Sequence, residues 1–471
     1  MSKRPKAPEV LAEDILKQKQ IATQVAMHYK SREIAPLAYV DTYGCQQNVA
    51  DSETIRGYLL EMGYEMTDQE AGAHLVLLNT CCVRESAENR VWGNVGNLTH
   101  TKQALPEQII VLCGCMGARP ETREKAKKSY PHIDLIFGPQ ALWRLPEFLY
   151  QVLTEKGRLY VSPDENYQIA EDLPQDRVEG PAAWLSIMYG CNNFCSYCIV
   201  PHVRGRERSR DPQRILEEVE KLVKDGVKDI TLLGQNVNSY GLGLEEHIDF
   251  PWLLEQINAI PGEFLIRFMT SHPKDAGERL FETMAKCEKV ARHIHLPVQA
   301  GNTRVLKEMN RGYTKEGYLH LIETARKHVP DIVLTGDIIV GFPGEIKEEF
   351  EDTLAVLKEV QFDALFTFLF SPRSGTPAAE MPDTISKEEK QRWFESLLAL
   401  QNDISLKKHE AYVGSVLKVL VLEEKDGFLK AQTNGGRHVR LTGDTALIGQ
   451  FITVEITRAS IWALEGQVVS T

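Results

Sequence analysis

Apolar residues recur along this chain in two rhythms. Between 37 and about 150, short apolar runs (37–43, 74–80, 108–114 and 134–138) alternate with helix-like stretches, which predicts a parallel sheet flanked by helices. The alternation resumes with candidate strands over 182–189, 229–234, 264–270, 292–297, 332–340 and 363–370. Between the last two but one, the helix predicted over 315–329 places Tyr318, Leu321 and Ala325 on one stripe, as a helix covering a sheet requires. Six such βα units predict a partial (β/α)6 barrel with its chemistry at the carboxyl ends of the strands. Beyond 412 the helical spacing stops. Short alternating runs (415–423, 427–433, 438–443 and 451–459), separated by Gly and Asn, predict a small all-β barrel. The fold class is therefore α/β with a β module at the end. Its expected divisions are an N-terminal extension (1–36), an open-sheet domain (37–150), an acidic linker (151–180), the partial barrel (181–411) and the β module (412–471).

Composition narrows the setting. With 43% hydrophobic and 25% charged residues the chain reads as soluble and globular. It has no apolar stretch long enough to span a bilayer, and its N-terminus lacks a signal-peptide core, so a cytoplasmic protein with no membrane partner is expected. Nine cysteines in such a chain point to metal binding rather than disulfides. A net charge of −12 argues against nonspecific coating of nucleic acid, but a local basic site remains open.

The run Cys191-x3-Cys195-x2-Cys198 sets three thiols on one loop directly after a predicted strand, with no fourth cysteine nearby. Three thiolates suit an iron-sulfur cube with one iron open to a ligand. The alternative is zinc completed by His202, but the spacing is not that of a zinc knuckle or ribbon. Three further cysteines, Cys45, Cys81 and Cys115, each follow the end of a predicted strand, 36 and 34 residues apart. Parallel strands share a carboxyl edge where ligands bind, so these thiols can meet in a second cluster site; burial as core cysteines is the alternative. Past the first loop, Arg204, Arg206, Arg208 and Arg210 would line up on one side of an extended segment and face phosphates, or would pair with neighbouring acids such as Glu207.

YGCNNFCSYC around the first trio resembles the radical S-adenosylmethionine (SAM) superfamily, and YGCQQN, NTCCVR and CGCM around the second resemble the methylthiotransferase family within it. The resemblance implies a 4Fe-4S cluster on Cys191, Cys195 and Cys198 that binds SAM and splits it to a 5′-deoxyadenosyl radical. It implies a second 4Fe-4S cluster on Cys45, Cys81 and Cys115. The flanks Asn79-Thr80 and Arg84 favour Cys81 over Cys82, and Gly114 favours Cys115 over Cys113; Cys82, Cys113 and Cys287 are then packing residues. Tyr197 would lie beside the SAM adenine, and Gly234, Gln235, Gln299 and Asp337 would cradle SAM. Leu233-Gly234-Gln235 departs from the superfamily's Gly-Gly-Glu at that strand end. The terminal module resembles the RNA-binding TRAM domain, although Ala431-Gln432-Thr433 stands where Gly-Arg-Thr is usual.

With LLGQNVNSYG, HLPVQAGN, GFPGE and FSPRSGTPAA, the motifs jointly resemble the branch of the family that modifies tRNA. The implied reaction places sulfur and a methyl group on carbon 2 of the isopentenylated adenosine beside the anticodon. SAM would serve as radical source and as methyl donor. An aromatic C–H bond offers no acidic proton, so a radical must remove the hydrogen, and sulfur must wait within reach. The tRNA anticodon stem-loop is the expected partner, with an electron donor and a sulfur source that the sequence does not identify. Competing readings are methylthiolation of threonylcarbamoyl-adenosine or of a ribosomal-protein aspartate, a zinc-bound RNA-binding module without catalysis, and a cluster carrier.

Overall fold

The computed structural model describes residues 7–82, 85–163, 167–245 and 247–469. The chain divides into two compact units, one of 1–178, 189–192 and 199–208, the other of 179–188, 193–198 and 209–471.

The first unit runs α1 (Ala12–Ser31), β1 (Leu37–Thr42), α2 (Gln46–Glu61), β2 (Glu65–Met66), β3 (Leu75–Thr80), α3 (Glu85–Ala104), β4 (Ile109–Gly114), α4 (Pro120–Ser129), β5 (Leu135–Ile136), α5 (Leu145–Glu155), β6 (Leu159–Tyr160) and α6 (Val200–Arg204). The strands form one parallel sheet in the order β2-β1-β3-β4-β5-β6. Every residue of β3 and β4 is buried. Leu75, Leu77, Val111 and Cys113 pack in one core, while Val76, Leu78, Ile110 and Leu112 pack in another, which is why these strands read as unbroken apolar runs. The two-residue strands β2 and β6 carry no period and were not foreseen.

Both flanking segments pack on this unit. The N-terminal extension is part of this unit: α1 buries Ala22, Val25 and Tyr29 in the first core, and Gln18 Nε2 donates to Glu147 Oε2 at 3.3 Å. The linker is docked as well. It contains the end of α5 and all of β6, Val10 N donates to Ile169 O at 2.8 Å, and Arg56 pairs with Asp176 at 3.2 Å. Its polar composition reflects an exposed face rather than detachment.

In the second unit β7 (Ala182–Ser186) leads to the two-residue strands β8 (Met188–Tyr189) and β9 (Arg208–Ser209), which fall where the chain passes between units. Then follow α7 (Pro212–Lys224), β10 (Asp229–Leu233), α8 (Phe250–Ala259), β11 (Leu265–Phe268), α9 (Glu278–Lys286), β12 (His293–His295), α10 (Thr303–Glu308), α11 (Lys315–His328), β13 (Val333–Val340), α12 (Lys347–Val360), β14 (Ala364–Leu369) and α13 (Lys387–Glu410). Strands β7, β10 and β11 pair in parallel, as do β12, β13 and β14, and a parallel bridge between Ile266 and Val290 links the two sets. These are the six strands of the partial barrel. On α11, Tyr318 and Ala325 are buried as expected, with Ile322 between them; Leu321 is only partly buried. Cys287 is buried at the C-cap of α9 rather than inside it.

The C-terminal strands β15 (Val416–Lys425), β16 (Phe428–Thr433), β17 (His438–Leu441), β18 (Phe451–Ala459) and β19 (Leu464–Val468) close into a barrel in the order β15-β16-β17-β19-β18. The fifth strand was missed because Glu465, Gly466 and Gln467 break its alternation. The module is anchored to the start of the larger barrel's strands. Arg267 holds Asp229 Oδ2 at 2.6 Å and donates to the carbonyls of Thr433 and Asn434 at 2.9 and 2.7 Å. Among the described residues no helix is long and apolar enough to cross a membrane.

Candidate active site

Strands β1, β3 and β4 are neighbours in the first unit's sheet, and Cys45, Cys81 and Cys115 stand just past their carboxyl ends. Glycines make the approach possible. A Cβ at Gly44 would fall 2.4 Å from Cys81 Cβ, and Gly114, at φ +82°, leaves room for Asn79 Oδ1 and Thr80 O. Cys45 is the N-cap of α2; desolvation raises its thiol pKa against the opposing charge of Arg204. Asn48, fully buried, ties the group together: its Oδ1 lies 3.4 Å from Cys45 Sγ and 3.3 Å from Arg204 Nη2, and its Nδ2 donates to Thr80 O at 2.9 Å.

Arg204 is 6% exposed, with Nε 3.3 Å from Cys115 Sγ and Nη2 2.8 Å from Asp51 Oδ2. Donation from the Cys82 thiol, together with the Arg204 charge, holds the Cys115 thiol down at about 6 against the opposing effect of burial. A set of thiols beside a buried cation is the donor chemistry of an iron-sulfur cluster, so the residues fit that group. Cys82 is fully buried, packing with Trp92 and Val95 and donating its thiol to Cys115, whereas Cys113 lies within β4 on the opposite core face and burial raises its thiol pKa. Arg84 lies outside the described residues.

Cys191 belongs to the first unit, Cys195 and Cys198 to the second. Gly190 precedes Cys191 at φ +76°, and a side chain there would meet Arg206 O at 2.1 Å; the Cys191 N–H donates to Gly205 O at 3.1 Å. In the second unit Ser196 is fixed to the end of α10, donating from Oγ to Glu308 O at 2.8 Å and from N to Met309 O at 3.0 Å. Arg311, 4% exposed, places Nη1 3.3 Å from Cys195 Sγ and 3.5 Å from Tyr197 OH, and donates from Nη2 to Pro297 O at 2.9 Å. Sequence reasoning missed Arg311; its signal is the Asn310-Arg311-Gly312-Tyr313 turn after α10. Tyr197 packs partly buried against Ala300 and Phe342, and His202 is exposed on α6.

Of the expected SAM contacts in the second unit, Gly234, Gln235 and Gln299 lie past strand ends, whereas Asp337 lies within β13. A Cβ at Gly234 would fall 2.5 Å from Met188 Cγ, so a larger residue would have to displace that side chain, and Gln235 follows it half-buried. Gln299, at φ +70°, pairs through its backbone with β13, its N–H donating to Asp337 O at 2.9 Å. Asp337 Oδ2 is 3.4 Å from His295 Nε2. Past the carboxyl ends of β10 and β11, Asn236 Oδ1, both amide atoms of Asn238, Ser271 Oγ and His272 Nε2 are buried without hydrogen-bond partners. Burial, reinforced by Arg311 and Lys274, pushes His272 down to about 2, so it is neutral; its Nδ1 accepts the Lys274 N–H at 3.2 Å, which leaves Nε2 as a donor. Orphaned polar atoms at a barrel mouth fit a polar ligand such as SAM. The glycine and asparagine-rich LLGQNVNSYG was the sequence signal for Asn236 and Asn238.

The arginine stripe is not formed. Residues 200–204 are helical and Gly205 turns the chain at φ +74°, so the segment is not extended. Arg204, Arg208 and Arg210 are buried, the last pairing with Glu218 at 3.1 Å and donating to Ser186 O at 2.6 Å; Arg206 is exposed.

Family models match along most of the chain: an uncharacterized protein family, UPF0004, over 37–138, the Radical SAM superfamily over 185–357 and the TRAM domain over 410–469. The chain is similar to the tRNA-2-methylthio-N(6)-dimethylallyladenosine synthases of Acetivibrio thermocellus (48% identical, covering 91% of this chain and 90% of that one) and Alkaliphilus oremlandii (45%, all of both). Among solved structures it resembles the radical S-adenosylmethionine methyltransferase TsrM of Kitasatospora setae, with TM-score 0.53, 16% identity and coverage of 84% of this chain and 81% of that one, a likeness of fold alone. The chain therefore belongs to the tRNA-2-methylthio-N(6)-dimethylallyladenosine synthase family of radical SAM proteins.

Proposed function

We propose that this protein is a radical SAM methylthiotransferase that converts N6-dimethylallyladenosine beside the anticodon of tRNA to its 2-methylthio form, using two 4Fe-4S clusters and SAM. The observation that carries the reading is the gathering of Cys45 and Cys115 around Asn48 and the buried Arg204, with Cys81 against Gly44, in a chain that also has the Cys191-x3-Cys195-x2-Cys198 loop. Cys191, Cys195 and Cys198 would hold the SAM-binding cluster, and Cys45, Cys81 and Cys115 the other. When bound, these groups supply the one-electron chemistry that removes hydrogen from an aromatic carbon, together with a sulfur ligand to replace it.

The chain's own residues bind and orient. Gln235, Gln299 and Asp337, with Asn236, Asn238, Ser271 and His272, would meet the polar groups of SAM, and Tyr197 its adenine. Gly234 lets the backbone approach. Arg204 and Arg311 hold positive charge against thiolate sulfur. On the terminal barrel Trp462, 73% exposed in the loop between β18 and β19, offers a ring on which an unpaired base can stack. The protein would work in the cytoplasm with the tRNA anticodon stem-loop, an electron donor and a sulfur source.

The test is anaerobic reconstitution followed by incubation with SAM, a reductant and tRNA bearing dimethylallyladenosine. Nucleoside mass analysis should show the methylthio product, and parallel reactions with threonylcarbamoyl-adenosine tRNA should not. Product only from the latter, or zinc without acid-labile sulfide in the purified protein, overturns the reading.

A further inference from the structure

The first unit holds a cavity of about 80 Å³. Arg204 lines it and links it to the Cys45, Cys81 and Cys115 site, because the same guanidinium reaches Cys115 Sγ at 3.3 Å. Arg204 is neutralised by Asp51. Arg208, which also lines the cavity, is not. It is 8% exposed, its Nη1 and Nη2 reach the carbonyls of Arg204 and Arg206, and its guanidinium lies 5.1 Å from the centre of the Tyr167 ring. Its Nε has no hydrogen-bond partner, and no carboxylate pairs with it among the described residues. Gln140 lines the same cavity with both amide atoms buried and unpartnered. A guanidinium buried without a counter-ion is costly, and an orphaned amide adds to the cost. Burial lowers the Arg208 pKa to about 10, still well above neutrality, so the charge is present.

An anion in this cavity would give Arg208 a counter-ion, and three features select its kind. The volume admits only a few water-sized molecules. The burial of Arg208 keeps out a polynucleotide phosphate, whose flanking sugars cannot follow it inward. Leu142, Trp143 and Leu173 form an apolar part of the wall, which suits a soft, weakly hydrated monoanion better than a multiply charged oxyanion. We propose that Arg208 and Gln140 hold a small soft monoanion of the hydrosulfide class in the cavity that Arg204 joins to the Cys115 site, as a store of the sulfur that the reaction consumes. The anion site stands on Arg208 and Gln140; its assignment to hydrosulfide rests on the methylthiotransferase reading above.

Bromide is the probe for the site. Crystals of the reconstituted full chain soaked in bromide should show an anomalous peak within hydrogen-bond reach of Arg208 Nε, displaced by sodium hydrosulfide but not by sulfate. In turnover, Arg208→Gln and the milder Gln140→Leu should each raise the apparent KM for sulfide about tenfold, the loss of one charge-assisted or neutral hydrogen bond, and by more than they lower kcat. Water alone at Arg208 in the bromide map, or an unchanged sulfide KM in Gln140→Leu, overturns the proposal. Methylthio product from the unaltered chain with no bromide peak defeats the anion site and leaves the methylthiotransferase reading standing. A bromide peak without methylthio product defeats that reading, and hydrosulfide as the occupant with it.

Discussion

Arg311 directs Nη1 at Cys195 Sγ from 3.3 Å, the same separation at which Arg204 Nε faces Cys115 Sγ. Each cysteine trio thus has a buried arginine against one sulfur. Their neutralisation differs: Arg204 has Asp51, whereas among the described residues Arg311 has Tyr313 OH, Tyr197 OH and the Pro297 carbonyl as its oxygen contacts. A hydrogen bond and a positive charge at a ligand sulfur favour the reduced, more negative cluster. Replacing Arg311 with Gln should therefore make that cluster harder to reduce, lowering its midpoint potential by on the order of 60 mV, the equivalent of one charge-assisted hydrogen bond. An EPR-monitored redox titration reads this directly, and an unchanged potential would show that Arg311 serves packing alone.

Cys81 and Cys82 are adjacent; Cys81 lies against Gly44, while Cys82 is fully buried with Trp92 and its thiol donates to Cys115. Cys82→Ser and Cys113→Ser should keep the full iron content after reconstitution. Cys81→Ser should lose about half of it, with one of two clusters gone. Iron and acid-labile sulfide assays distinguish these outcomes, and half-loss in Cys82→Ser would reassign the ligand.

Arg267 joins Asp229 in the larger barrel to two carbonyls of the 433–434 turn in the terminal barrel. Both partners of the ion pair are buried, at 6% and 3% exposure, so Arg267→Ala leaves the Asp229 carboxylate uncompensated. A loss of about 3–5 kcal/mol is expected. Thermal unfolding should register it, and limited proteolysis should release the terminal barrel earlier than in the unaltered chain.

Glu345 accepts the N–H groups of Gly341 and Phe342 at 2.9 and 3.2 Å, and burial raises its pKa from 4.5 to about 7. The folded state therefore binds more protons than the unfolded state between those values. Its contribution to stability is greatest below pH 4.5, declines as pH rises toward 7, and is level above that, for a total of roughly 3 kcal/mol. Glu345→Gln keeps an acceptor for both N–H groups and removes the decline. Unfolding measured from pH 4.5 to 8 should show the variant gaining on the unaltered chain as pH rises; parallel curves would contradict the raised pKa.

Much of this was legible in the residues because strong signals are local. The all-apolar runs that became β3 and β4 announced a buried parallel sheet, and the glycines and cysteines at their ends marked the edge where ligands gather. What sequence could not show is set by packing between distant segments. Arg204 and Arg208 read as exposed phosphate contacts until the turn at Gly205 folded them inward, and Arg311 meets Cys195 across 116 residues of chain. The docked segments 12–31 and 159–160 were hidden because one shows a charged outer face and the other is too short to have a period.

The claim at the centre of this account is that the thiols at 45, 81 and 115 deliver sulfur and the loop cysteines generate the radical. The decisive measurement is made on Cys45→Ala/Cys81→Ala/Cys115→Ala, reconstituted anaerobically and incubated with SAM, reductant and tRNA, with 5′-deoxyadenosine and methylthio-nucleoside quantified together. Continued 5′-deoxyadenosine formation with no methylthio product is predicted; methylthio product at the level of the unaltered chain would contradict it.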